Sequence, residues 1–244
     1  MKLRIDKICS DYNLASRKEI RDYVKKGRIR VDGEVLKSSS DKVDPLTSVI
    51  TVDGVKLEYE EYSYFMLNKP DGVLSTAFDK KQRTVLNLLS KPHRSDLFPV
   101  GRLDKDTTGL LLISNDGPLS HELLSPKKHV DKVYEARVKG RIRPELKEVF
   151  ARGFQYDEDL VSDSATLEIL SYDEIQDQTL IHVTIHEGKF HQIKKMFLAV
   201  GSEVLSLKRV SFGPLKLDES LKEGEYRCLT QEEINLLKEG HENA

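Results

Sequence analysis

Two spacings of apolar residues alternate along the chain, and each predicts its own kind of element. From Lys2 to Tyr12 the apolar positions Leu3, Ile8, Cys9 and Tyr12 suit one face of a helix. Ser16 opens a second helical stretch, and Glu19 stands three residues on, the spacing of a capping box. That stretch predicts a helix to about Lys26, stopped at Gly27. Arg28 to Val35 then reads as a hairpin turning at Asp32-Gly33, and a second small strand pair surrounds Asp53-Gly54. Glu58-Tyr-Glu-Glu-Tyr62 is a short acidic linker, which predicts a first domain over 1–58, a linker over 59–62 and a second domain over 63–244.

In the second stretch, Ser63 to Asn68 predicts a strand ended by the turn Lys69-Pro70-Asp71-Gly72. Thr84 to Leu89 predicts a helix, and Leu97–Val100 with Leu110–Ile113 predict two short buried strands, the latter closed by the turn Asn115-Asp116-Gly117. His121 to Ser125 reads as a helical turn before Pro126, Val133 to Val138 as a strand, and Pro144 to Phe150 as an amphipathic helix. The β-rich stretches 160–172 and 178–186 are close enough to pair. Phe190 to Val200 predicts a helix ended by Gly201, and Glu203 to Phe212 a strand. Thr230-Gln-Glu-Glu233 is a capping box for a terminal helix whose last residues are expected to fray. No strand–helix alternation of the parallel type and no phosphate-binding glycine loop is present. The class predicted is α+β, a mixed sheet with helices packed on it.

Composition narrows the partners. With 38% hydrophobic and 33% charged residues in 244, this is an ordinary water-soluble composition. No apolar run approaches the roughly 20 residues that span a bilayer, and the N-terminus lacks the apolar core of an export signal, so a cytoplasmic protein with no membrane partner is expected. Cys9 and Cys228 stand far apart, which predicts buried thiols in a reducing compartment, and no Cys/His spacing suits structural zinc. The formal charge of −2 argues against a nucleic-acid partner until its distribution is seen. Residues 1–30 hold ten Lys/Arg against four acids, a net +6, which leaves −8 on the rest. Arg17, Arg21 and Lys25 recur at helical i, i+4 spacing beside Lys18, a basic face on the second helix.

Between the two central strands lies a charged loop holding Arg102, Asp104 and Asp106, opened by Gly101 and closed by Gly109. Such a loop on apolar strands is a means of presenting a reactive group. Its acidic spacing imitates the start of a calcium loop, but the twelfth position from Asp104 is Asn115 rather than Glu and the flanks are strands, so calcium is rejected.

The words Gly101-Arg-Leu-Asp104 and Asp106-Thr-Thr-Gly-Leu110 resemble the catalytic signature of the pseudouridine synthases of the RsuA family. The likeness extends to Tyr64-Phe-Met-Leu-Asn-Lys-Pro70, Ser120-His121 with Ser125-Pro126, Lys132-Val-Tyr134 and Glu187-Gly-Lys-Phe-His-Gln-Ile-Lys194. The N-terminal residues Arg4-Ile-Asp-Lys7, Ser16-Arg17 and Gly27-Arg-Ile-Arg-Val-Asp-Gly33 resemble an S4 RNA-binding domain. The resemblance implies a central, mostly antiparallel sheet with a cleft along it, and conversion of a uridine to pseudouridine without cofactor or metal. It implies Asp104 as the carboxylate that attacks C1′ or takes a proton from C2′, Lys194 as its cationic partner, and Tyr134 as the ring packed on the target base. Arg102 is implied to fill the gap left when the nucleotide flips out, and Arg4, Lys7, Arg17, Lys18 and Arg21 to contact RNA phosphates. Asp106 is expected only to shape the loop, and His121 and His191 to be structural or RNA-facing. The expected substrate is small-subunit ribosomal RNA, naked or partly assembled, and a monomer is expected to act on it. A large-subunit enzyme of the sister branch and an idle RNA-binding assembly factor are the alternatives.

Overall fold

The computed structural model describes residues 2–90, 93–157 and 160–239. The chain forms two compact units, one of residues up to Ser63 together with Leu89–Leu97, the other of Tyr64–Leu88 together with the chain from Phe98 onward. Among the described residues no helix is long and apolar enough to cross a membrane.

The first unit comprises β1 (Leu3–Arg4), α1 (Ile5–Asp11), α2 (Arg17–Lys25), β2 (Ile29–Val31), β3 (Glu34–Val35), β4 (Lys42–Val43), β5 (Ile50–Val52) and β6 (Val55–Lys56). The helix expected from Lys2 starts only at Ile5, because Leu3 and Arg4 are taken into a ladder opposite Val43 and Lys42. The Ser16–Glu19 capping box is present: Ser16 Oγ accepts from the Glu19 N–H at 3.3 Å and Glu19 Oε2 from the Ser16 N–H at 2.9 Å. Asp32-Gly33 and Asp53-Gly54 both have positive φ, the backbone that two-residue hairpins require, and they fold the antiparallel sheet β3-β2-β5-β6. Ile5, Ile8, Cys9, Ile20, Val24, Ile29, Val31 and Ile50 form its core. Burial pushes the Cys9 thiol up to about 12, which makes it unreactive. Cys228 departs from expectation: it is exposed, since the short strand carrying it is the last of its sheet.

The second unit comprises β7 (Tyr64–Lys69), a 3₁₀ turn (Val85–Leu88), β8 (Phe98–Val100), β9 (Thr108–Ser114), α3 (Gly117–Leu124), β10 (Lys132–Lys139), α4 (Leu146–Arg152), β11 (Gln155–Asp157), β12 (Leu160–Val161), β13 (Thr166–Asp173), β14 (Gln178–Ile185), α5 (Gln192–Ala199), β15 (Val204–Phe212), β16 (Leu215–Lys216), β17 (Tyr226–Cys228) and α6 (Gln231–Glu239). A nine-stranded sheet runs β13-β14-β10-β15-β9-β7-β17, with β8 on β9 and β16 on β15. Among the described residues every ladder is antiparallel except β9–β15, so the fold is α+β around a mixed, mostly antiparallel sheet. β10 alternates inward at even positions, which buries Tyr134, Ala136 and Val138. Met66, Leu110, Leu112, Leu123 and Phe212 lie in the core.

Four local differences have physical causes. The turn expected at 115–117 instead starts α3, because Asp116 caps the Leu119 N–H at 3.0 Å and Pro118 falls in the first turn, where its missing N–H costs nothing. The helix expected over Thr84–Leu89 is a single 3₁₀ turn, closed by Asn87 accepting from the Thr84 N–H at 2.8 Å. The stretch 160–172 splits into β12 and β13, because β12 pairs with β11 while β13 pairs with β14. The helix expected from Phe190 begins at Gln192, because His191 takes a left-handed backbone with φ of 52°. The fraying expected of the final residues lies outside the described chain.

Candidate active site

The loop between β8 and β9 alternates in burial: Leu103 and Thr107 point inward, while Arg102, Lys105 and Asp106 are exposed and Asp104 is half-buried. Its backbone is fixed from beneath. Lys69, at the end of β7 and fully buried, donates to the carbonyls of Pro70 (3.1 Å), Lys105 (3.0 Å) and Thr107 (2.9 Å). Burial draws its pKa down to about 8, and the negative charges of Asp71, Asp106 and Asp104 nearby oppose that fall. Ser75 adds a second clamp, its hydroxyl donating to the Leu103 carbonyl at 2.8 Å and accepting from the Leu103 N–H at 3.1 Å. The loop ends at Gly109, with φ of 97°, where a Cβ would stand 2.3 Å from the Arg209 carbonyl oxygen. Only glycine lets β9 run that close beside β15.

Above this loop is a cleft of about 930 Å³, lined by residues 102–107, Asp71, Gly72, Leu74, Ser75, Tyr134 and residues 188–194. Arg102, Asp104, Tyr134 and Lys194 therefore share one cleft. Asp104 keeps two nitrogen side chains at a distance: Lys194 Nζ lies 3.6 Å from Oδ2 and His191 Nε2 3.7 Å from Oδ1. The short contact of Lys194 goes instead to Asp106 Oδ1, at 2.6 Å. That bond holds the Asp106 carboxyl below the usual carboxylate range. Asp106 thus anchors the lysine as well as lying in the loop, and leaves Asp104 without a close ion pair. Tyr134 is buried on β10 beside a bulge in the β10–β15 ladder. Arg102 is exposed at the rim, with no side-chain hydrogen bond or ion pair among the described residues.

Two further basic residues of the sheet strands are buried. Lys132 donates to the Val130 and His186 carbonyls at 2.7 Å each, and burial lowers its pKa to about 8. Arg209 is buried opposite Tyr134 and donates to the Leu110 carbonyl at 2.8 Å.

The basic residues singled out in the N-terminal unit divide into two groups. Arg4 is paired with Asp6 (2.7 Å) and Lys7 with Asp11 (2.7 Å). Arg17, Lys18 and Arg21 are exposed on α2 and make no side-chain hydrogen bond among the described residues. Three residues, two lining the cleft and one beneath its loop, have no part assigned by the sequence. Lys69 read as the edge of a turn and Ser75 carried no signal. Phe190 was a motif letter. A lysine immediately after an apolar strand and before Pro-Asp-Gly is the signal that could have found Lys69.

The chain belongs to the RNA pseudouridylate synthase family, whose model matches residues 63–199, and an S4 domain model matches residues 3–46. It is an RNA pseudouridine synthase. An uncharacterized RNA pseudouridine synthase of Bacillus subtilis is 46% identical over 97% of this chain and 99% of its own length. A ribosomal large subunit pseudouridine synthase B of the same organism is 39% identical over 96% of this chain and 95% of its own. A ribosomal small subunit pseudouridine synthase A of Vibrio cholerae is 40% identical over 95% and 98%. A solved structure titled as a pseudouridylate synthase matches with a TM-score of 0.67 and 36% identity over 96% of this chain and 99% of that one.

Proposed function

We propose that the protein isomerises a uridine of small-subunit ribosomal RNA, acting as a monomer on naked RNA or on a partly assembled subunit. Asp104 is the carboxylate that performs the reaction. The observation that carries this reading is Asp104 half-buried in the cleft, with Lys194 and His191 each within 4 Å of its carboxylate and Tyr134 in the same lining. Relatives named for ribosomal RNA of both subunits support ribosomal RNA as the substrate. The words Asp106-Thr-Thr-Gly109 and Ser120-His121 with Ser125-Pro126 favour the small subunit. The 39% identical large-subunit relative supports the second reading, a large-subunit target.

The reaction breaks the bond from N1 to C1′ and makes one from C5 to C1′, while the proton leaving C5 is matched by one gained at N1. The atoms balance within one nucleotide, so the stoichiometry calls for no oxidant, reductant or phosphate donor. Asp104 adds to C1′ or removes a proton from C2′, and either route needs it ionised. Lys194, held by Asp106, supplies positive charge without quenching Asp104 in a tight pair. Tyr134 packs on the uracil and leaves the base edges open for hydrogen bonding. Arg102, unengaged at the rim, fills the space of the flipped nucleotide. Residues 1–58 act as the RNA-binding domain through Arg17, Lys18 and Arg21, with Arg4 and Lys7 joining once released from their carboxylates. Residues 63–244 carry the chemistry, after the linker 59–62.

A carbodiimide primer-extension map of both ribosomal RNAs after incubation with the protein tests the substrate. One new stop in small-subunit RNA is the expected result. A stop in large-subunit RNA transfers the assignment to the second reading, and no stop on free RNA or assembly intermediates overturns both.

A further inference from the structure

The segment leading into α5 carries an arrangement that the reaction itself does not use. Phe190 is 70% exposed, although it lines the cleft that holds Asp104. Its ring is stacked on His191, with centroids 3.8 Å apart and planes 19° from parallel. The Lys195 ammonium lies 5.8 Å from the Phe190 centroid. His191 in turn points Nε2 at Asp104, 3.7 Å away. The stack therefore connects the reacting carboxylate to an aromatic surface that opens to solvent.

This placement is held against a backbone cost. His191 is one of six described non-glycine residues with positive φ, and it directly precedes the first turn of α5. Left-handed backbone at a non-glycine residue persists only when the surroundings enforce it. Here Gln192 supplies part of that enforcement, accepting from the Lys189 N–H at 3.1 Å and bonding Glu187 at 2.5 Å. Phe190 keeps most of its ring in water and adds little to the core, so the ring is available for a flat group to stack on it. A π-face with a cation nearby, at the rim of a cleft that takes one nucleotide, matches a nucleobase attached to a phosphate chain.

We infer that Phe190, backed by His191, is a stacking platform for the base of a nucleotide next to the target uridine. This rests on the proposed RNA substrate and adds a second base subsite to it. When the target flips, its neighbour loses a stacking partner in the RNA, and the platform replaces that partner. Stacking of this kind reads no base edge, so the platform accepts any base and sets affinity more than sequence.

The test uses the full chain and short uridine-rich single-stranded RNAs carrying 2-aminopurine, whose emission responds to stacking on an aromatic ring. Phe190→Ala, Phe190→Leu and Phe190→Tyr are compared with the unmutated protein, with thermal melting to show that each is folded. The platform requires that emission change on binding to the unmutated protein and to Phe190→Tyr, and stay near its free value with the other two. Phe190→Ala and Phe190→Leu should bind roughly ten-fold more weakly. Unchanged affinity and emission in Phe190→Ala would assign the exposed ring to some other contact, such as a protein surface, and overturn the inference. No emission change with the unmutated protein overturns it as well. Release of tritium from C5-labelled ribosomal RNA is measured in parallel: loss of release with stacking intact refutes the proposed activity and leaves the platform standing.

Discussion

Replacing Lys69 by Met should separate the support of the catalytic loop from its chemistry. The side chain is fully buried and makes three charge-assisted bonds, to Pro70, Lys105 and Thr107. At roughly 1.5–3 kcal/mol each, these contribute on the order of 4–9 kcal/mol. Burial opposes them: a pKa lowered from 10.5 to about 8, after nearby Asp71, Asp106 and Asp104 have offset part of the desolvation, corresponds to about 3 kcal/mol net against the charged form. Methionine removes both effects and fills most of the space, so the net loss of stability should be about 3 kcal/mol. The pH dependence carries a second signature. Between pH 8 and 10.5 the unfolded chain holds a proton that native Lys69 lacks. Stability from this group therefore rises with pH across that window and is flat below it. Denaturant unfolding of both proteins at neutral pH and near pH 9.5 measures the two effects together. Lys69→Met should be less stable at neutral pH, should lack the alkaline rise, and should turn over RNA more slowly at unchanged RNA affinity, because the loop carrying Asp104 is looser. A variant within 1 kcal/mol of the parent, with the same alkaline slope, would refute the view that Lys69 bears the loop.

Other perturbations follow from the same geometry. Gly109→Ala should cost roughly 1–3 kcal/mol or more by overpacking, since its Cβ would meet the Arg209 carbonyl oxygen at 2.3 Å in a left-handed backbone; a melting temperature equal to the parent's would contradict the close approach. Asp106→Asn should cost less than about 1 kcal/mol, because the carboxyl is well exposed. Its contribution is present above the ordinary carboxylate pKa and lost as pH falls below it, so the variant should show a shallower loss of stability on the acid side, read by acid titration of the fold. Arg17→Glu with Arg21→Glu should weaken RNA binding and reduce the slope of log affinity against log salt; an unchanged slope in a filter-binding titration would remove α2 from the RNA contact.

Much of the fold was legible because it rests on local chemistry. Ser16 and Glu19 announce α2 in sequence, Asp32-Gly33 and Asp53-Gly54 announce their turns, and the alternation of 133–138 announces β10. What was not legible depends on partners far along the chain. Leu3 and Arg4 carry a helical pattern until Val43 and Lys42 pair with them. Nothing near Arg94 signals that it is buried against Tyr12, Tyr59 and the Glu60 carbonyl. At the site, Arg102, Asp104, Tyr134 and Lys194 were named from motif words alone, and the cleft brings those words together. The division of Lys194 between Asp104 and Asp106 could not be read, because it turns on a difference of 1 Å between two carboxylates on one loop. The left-handed backbone at His191, which sets the stack with Phe190, has no signature in a His-Gln-Ile-Lys sequence either.

The central claim is that the Asp104 carboxylate performs the isomerisation, and release of tritium from C5-labelled ribosomal RNA tests it most directly. The unmutated protein should release tritium, while Asp104→Asn, similar in shape and without the charge, should release none and bind the same RNA with unchanged affinity. Release by Asp104→Asn at the parent's rate would contradict the account, and loss of binding together with release would make Asp104 a structural residue of the loop.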